Sequence, residues 1–320
     1  MRKLFTIFCL SLAFIGFGTE SKAQDPIFTQ FYSNPIYLNP AFAGAGRCPR
    51  FVMNYRNEWP NLYKTYITYA FSYDQHFDPI AGGVGFSVYN DQAGDNTINS
   101  TMVSGMYSYQ LNITRNFTMR AGFQASYLQK ALDGSKLTYG DMIDQRNGFI
   151  YPTADFTGST KKGVVDFSAG ILAYSKRYFV GFAAHHLTQP NEALIGTQPS
   201  PLPMKITGHA GISIPLGDKS SETFLSPNVL FQKQQNFQQL NLGMYINKGP
   251  IVGGLWYRNQ DAFIVTLGVM TKMFRLGYSY DVTVSKLSNA TAGSHEISTS
   301  IQLNCKPKKK KFRTISCPSF

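Results

Sequence analysis

Phe117-Thr-Met-Arg-Ala-Gly-Phe-Gln-Ala-Ser-Tyr127 places an apolar or aromatic residue at every odd position and a polar residue or glycine at every even one. A period of two puts alternate side chains on opposite faces of an extended strand. The pattern returns at 206–214, 239–247 and 274–284, and no stretch of period 3.6 competes with it. Fourteen such segments can be read, at about 50–57, 63–74, 81–90, 98–110, 116–129, 164–174, 176–184, 205–214, 223–233, 237–247, 250–258, 261–270, 272–284 and 293–304. Several reach roughly ten residues, the length that crosses a bilayer as a tilted strand, whereas soluble strands usually run about five or six.

Alternation is shared by soluble sandwiches, propellers and membrane barrels, so other features must separate them. Only 15% of residues are charged, against about 25% in average soluble domains. Tyrosine and phenylalanine gather near strand ends, as at Tyr66, Tyr69, Phe71 and Tyr73 and at Tyr107 and Tyr109. The two longest connections, 130–163 and 185–204, are the fifth and seventh, while even-numbered ones are mostly tight, as at Ser175 and Lys248-Gly249. Short periplasmic turns with longer outer loops are the asymmetry of an even-stranded barrel with both termini in the periplasm. The expected fold is therefore all-β: an outer-membrane-type transmembrane antiparallel barrel of about fourteen strands over 50–304. Disorder, a coiled coil and a helical membrane protein are excluded by the aromatic content, the composition and the lack of repeated long apolar runs.

The one long apolar run is at the start. Arg2 and Lys3 precede an apolar stretch from Leu4 to Gly18, and Ser21-Lys22-Ala23 offers small residues for cleavage. Residues 1–23 read as a secretory signal peptide. Cys9 sits inside its apolar core, leaving Cys48, Cys305 and Cys317 in the exported chain. Lys306, Lys308, Lys309, Lys310, Lys311 and Arg313 supply half of the formal net charge of +12. The basic balance is thus largely a property of the tail, 305–320, and no nucleic-acid surface is implied.

The segment from Gln24 reads Asp25-Pro26-Ile27-Phe28-Thr29-Gln30-Phe31-Tyr32-Ser33-Asn34-Pro35, then Asn39-Pro40-Ala41-Phe42-Ala43-Gly44. Near the other end, Tyr278-Ser279-Tyr280-Asp281 is followed by Gly293-Ser294-His295-Glu296-Ile297. Both stretches resemble the PorP/SprF family of type IX secretion proteins, and the resemblance covers essentially the whole mature chain. It implies an outer-membrane barrel working with type IX components, without catalysis or cofactor. The PorP-like branch implies a core role with periplasmic ring or peptidoglycan-associated partners. The SprF-like branch implies secretion or surface attachment of a particular adhesin, as in gliding. A passive diffusion porin is the third reading, although the long basic tail is foreign to it.

Other candidate sites carry alternatives. Segment 24–49 contains Pro26, Pro35, Pro40 and Pro49, which exclude a long regular strand; it is a turn-rich leader or a partial plug entering the lumen from the periplasm. The tail is either solvated or docked to an acidic periplasmic partner or anionic lipid. Cys48 and Cys305 flank the first and last strands and could staple the seam, or Cys305 and Cys317 could loop the tail. His185-His186 reads as a pair of exposed loop histidines. Glu296 should face the lumen, because Ile297, Thr299, Ile301 and Leu303 mark the lipid face. The charged loop 130–163 is long enough to be a docking element or a cover for the mouth. No Cys/His spacing suggests a metal.

Overall fold

The computed structural model describes residues 25–304 except 63–65, 156–157, 197, 217–222 and 285–290. Fourteen antiparallel strands close into one barrel. They are β1 Arg50–Glu58, β2 Tyr66–Phe77, β3 Gly82–Ala93, β4 Ile98–Asn112, β5 Thr118–Asp133, β6 Ser159–Tyr174 and β7 Tyr178–His185. The rest are β8 Lys205–Ile212, β9 Thr223–Gln234, β10 Phe237–Lys248, β11 Ile251–Arg258, β12 Ala262–Met270, β13 Phe274–Thr283 and β14 Ser294–Gln302. Ile214–Pro215 extends β8 along β9 after a break. The seam is β1 against β14, with Arg50 opposite Gln302 and Glu58 opposite Ser294. Closure leaves no free edge, the condition for a sheet surrounded by lipid.

Each of the fourteen expected segments corresponds to one strand. The largest boundary difference is at β5 and β6, each of 16 residues. They turn the expected loop 130–163 into a connection over 134–158, so Lys130, Asp133, Lys161 and Lys162 belong to strands. The outward apolar side chains of this hairpin stop near Tyr127 and Val165, and exposed Lys161 follows. Backbone pairing continues where the side-chain pattern turns polar, so the hairpin projects past the apolar belt.

Outward side chains make that belt: Val84, Phe86, Val103, Phe123, Val180, Phe182, Leu242, Leu255, Leu267 and Ile297 are all exposed. Their strand neighbours point inward and are buried, including Ser104, Arg120, Gln124, Thr207, Asn241 and Glu296. Apolar-out and polar-in is the reverse of a soluble core and the pattern of a membrane barrel.

The two mouths differ. One carries 134–158, 186–204 and 284–293 and is here termed the loop mouth. The other carries 78–81, 113–117, 175–177, 213–222, 249–250 and 271–273 and is termed the turn mouth; β1 begins there and β14 ends there. Cys48, just ahead of β1, is disulfide-bonded. Cys305 and Cys317 lie outside the described residues, as does the whole basic tail.

Candidate functional site

Residues 25–49 run through the inside of the barrel. Prolines and asparagines break this segment into short turns. Pro35 opens a single helical turn, Pro35–Leu38, and Pro40 opens a 3-10 turn, Pro40–Phe42. Proline suits the first helical position because its missing N–H would have no partner there. Asn39 caps the second turn, its Oδ1 accepting the Ala41 N–H at 2.9 Å. Such compact turns place a side chain toward nearly every part of the wall.

The apolar side chains fill the lumen. Phe31 packs edge-on to Trp256 of β11, with centroids 5.3 Å apart, and Tyr32 to Phe179 of β7 at 5.5 Å. Phe42 stacks on His209 of β8 at 5.2 Å. Ile36, Leu38 and Phe42 join one apolar cluster with Met106, Leu172, Leu230, Tyr245 and Ile264. Phe28 joins a second, with Ala70, Tyr89, Met102 and Leu128. Burying each large apolar side chain contributes about 1.5–3 kcal/mol.

Polar contacts fix the path. At the loop mouth, the Asp25 carboxylate meets His186 Nε2 at 2.8 Å and Lys205 Nζ at 3.4 Å. The Asp25 N–H donates to Gln234 Oε1 at 3.2 Å. His186 Nδ1 meets Asp166 Oδ2 at 2.7 Å. One step inward, Arg56 donates to the Ile27 carbonyl. Thr29 and Gln30 donate their backbone N–H groups to the Glu296 carboxylate. Thr29 Oγ1 donates to Asp281 at 3.0 Å, and Arg258 Nη1 reaches the same carboxylate at 3.2 Å. Further along, Ser72 donates to Asn34 Oδ1 at 3.1 Å, and Asn39 Nδ2 donates to the Ile171 carbonyl at 3.0 Å. At the turn mouth, Gly44 N–H donates to Asp74, which also pairs with Arg50, both at 2.9 Å. Arg120 donates to the carbonyls of Ala43 and Gly44 and to Ser108 and Gln110.

Two glycines make room where the segment touches the wall most closely. A Cβ on Gly122 would lie 2.3 Å from the Ala41 nitrogen. Gly44 has φ +68°, and a Cβ there would lie 2.7 Å from the Gly83 Cα. Only glycine fits both the left-handed backbone and the approach.

The motif residues are thereby brought together. Asp25, Gln30, Asn34, Asn39 and Gly44 bond to the wall, Pro26 accepts from Tyr37 OH at 2.6 Å, Pro35 and Pro40 shape the turns, and Ala41 sits against Gly122. Glu296 faces the lumen at 1% exposure, as its alternation requires. His295 faces out, its Nδ1 2.8 Å from Tyr278 OH. The expected cationic contact, Lys306, Lys308–Lys311 and Arg313, lies outside the described residues.

One expectation is corrected. His185 and His186 are buried, not exposed. His186 has φ +58°, which breaks the strand alternation and lets both rings turn inward. Both mature termini, expected in the periplasm, lie outside the described residues; the described chain starts with Asp25 at the loop mouth and leaves β14 at the turn mouth. The segment crosses the lumen from one mouth to the other. Sequence reasoning also missed Arg56, Asp74, Arg120, Lys205 and Asp281 as its partners, and Asp166 as the partner of His186; the available signal was a charge on the inward face of a strand.

Burial pulls the His186 pKa down, but Asp25 and Asp166 outweigh it and raise it to about 10 from 6.5. Burial raises the Asp25 pKa, but His186 and Lys205 prevail and hold it well below its usual 3.8. A histidine kept protonated between two carboxylates is a latch, not a general base. Its contribution is fully present below pH 6.5 and is lost as pH rises through about 10. The Asp25 contribution is present above pH 3.8 and is lost in stronger acid. A spin label at position 27 should therefore be least mobile between these limits and loosen gradually in alkali. His186→Gln should abolish the alkaline dependence; an unchanged profile would contradict the latch.

The comparisons follow the same lines. Residues 20–301 match the family described as type IX secretion system membrane protein PorP/SprF. The chain belongs to the PorP/SprF family. No curated protein matches it. Among solved structures, it resembles Omp33 of Acinetobacter baumannii at 8% identity and TM-score 0.44, covering 81% of this chain and 100% of that one. It also resembles a FadL homologue of Pseudomonas aeruginosa at 11% identity and TM-score 0.41, covering 88% and 99%. A third is the NalP autotransporter translocator domain of Neisseria meningitidis, at 10% identity and TM-score 0.40, covering 81% and 89%. Likeness this distant says nothing about what a PorP/SprF barrel does. The family is one of secretion-system membrane proteins and not a known enzyme family.

Proposed function

We propose that this outer-membrane barrel is a closed, non-enzymatic part of the type IX apparatus that anchors or couples periplasmic machinery. The observation that carries the reading is the lumen filled from mouth to mouth by 25–49. A diffusion porin needs an open lumen, whereas Phe31, Tyr32 and Phe42 occupy this one. The remaining surface for work is the rim and what extends from it. In the proposed orientation the short turns face the periplasm, so the basic tail begins there, after Leu303. Periplasmic ring or peptidoglycan-associated proteins are the proposed partners, with outer-membrane lipid around the belt.

The test is affinity purification of the tagged barrel from detergent-solubilised outer membrane, full-length and truncated after Leu303. Periplasmic ring or peptidoglycan-linked proteins should be recovered with the intact tail and lost with truncation. Equal recovery by both forms would contradict docking through the tail. Recovery of one large adhesin by both would favour the SprF-like role, in which the barrel serves that adhesin.

A further inference from the structure

Charge divides between the two mouths. Among the described residues, the connections of the loop mouth carry Asp95, Asp141, Asp144, Asp155, Glu192 and Asp261 against Lys136 and Arg146. The turn mouth is the opposite. Arg115, Lys176, Arg177, Lys248 and Lys272 all stand exposed on its turns or at a strand end beside them. None of them has an ion-pair partner among the described residues. Among the described residues, the acids there are Asp74, taken by Arg50, and Asp78, 3.3 Å from Arg47. The cations are spread over the β4–β5, β6–β7, β10–β11 and β12–β13 turns, so they encircle the opening.

Inside the same mouth is a small open recess, about 60 Å³ in volume, between the threaded segment and the wall of β10–β14. Ser33, Tyr245, Met270, Arg275 and Leu276 line it, and so does Thr266, which is 5% exposed and whose Oγ1 has no hydrogen-bond partner. Arg275 therefore adds a cation on the lumen side of the ring, where lipid headgroups around the barrel do not reach.

We propose that the turn mouth is a docking surface for an acidic periplasmic protein, seated on the ring of Arg115, Lys176, Arg177, Lys248 and Lys272 with a carboxylate reaching the Arg275 recess. This rests on the anchoring reading and its orientation, but it places the contact on the folded barrel and not only on the tail. Complementary charge on a rim mainly speeds encounter and fixes register. The recess supplies what a rim lacks, a partly buried cation beside apolar walls.

The test is photo-crosslinking in cells, with the reactive residue at Asn116 or Thr271 on the turn mouth and at Gln260 on the loop mouth. The expected result is one protein adduct from Asn116 and Thr271, absent from Gln260, whose partner is net negative at neutral pH. Combined Arg115→Glu, Lys176→Glu, Arg177→Glu, Lys248→Glu and Lys272→Glu should reduce its yield about tenfold or more, with the tail intact. Should that variant fail to form a heat-modifiable barrel, the corresponding glutamine substitutions are judged by the same criterion. An undiminished adduct, or lipid adducts alone, overturns the proposal. An adduct lost on truncation after Leu303 but indifferent to the rim substitutions would leave the tail reading standing and remove this surface. An adduct that survives truncation but needs the rim would do the reverse.

Discussion

Removing residues 25–44 is expected to turn a closed barrel into a conducting one. The wall does not depend on the segment for its own pairing, since every strand is hydrogen-bonded to two others and the seam is β1 with β14. What the deletion removes is the contents: Phe28, Phe31, Tyr32, Ile36, Leu38 and Phe42, all buried. What remains facing the lumen mixes polar groups such as Ser104, Gln124, Asn241 and Ser279 with apolar ones such as Met106, Leu172 and Ile264. A lumen emptied of the segment and carrying these polar groups fills with water, as larger barrels do. Single-channel conductance in planar bilayers should rise by about tenfold or more over the intact protein. Equal conductance would mean that the segment does not block the path.

Gly122→Leu should reach nearly the same state without deleting anything. The new Cβ would lie 2.3 Å from the Ala41 nitrogen and 2.5 Å from the Pro40 carbonyl carbon. Both are backbone atoms held by Asn39 above and by Arg120 below, so they have little freedom to move aside. Overpacking of a well-packed interior costs about 1–3 kcal/mol or more, and here the larger residue competes directly for the space of the segment. The expected outcome is partial expulsion of 25–44, read as protease cleavage within it and as raised conductance. Gly105→Leu is the matched control, because nothing lies within 4 Å of a Cβ at that outward position. Cleavage equal in the two variants would show that Gly122 is not a contact that matters.

How far these features could be read in the chain depends on how local their causes are. Strand existence was legible at β5 and β13 because alternation is a property of neighbouring residues, as in Phe117–Tyr127. The tight turns at Ser175 and Lys248-Gly249 were legible for the same reason. The ends of β5 and β6 were not, because pairing there runs past the apolar belt with lysines in place of valines. In the leader, Pro26, Pro35 and Pro40 announced turns. The route of those turns did not show, since Gln30 meets Glu296 across 266 residues of sequence and Asn39 meets Ile171 across 132. The burial of His186 depends on a left-handed backbone and on acids at positions 25 and 166, none of which a dipeptide reveals.

Threading also sets the topology, which is the most direct test of the account. An epitope inserted between Gln24 and Asp25 and another placed after Leu303 should be probed on intact cells and on cells with permeabilised outer membranes. If the segment runs from loop mouth to turn mouth, antibody should reach the first epitope on intact cells and the second only after permeabilisation. If both are reached only after permeabilisation, the segment does not cross the lumen, and the closed-barrel account fails with it.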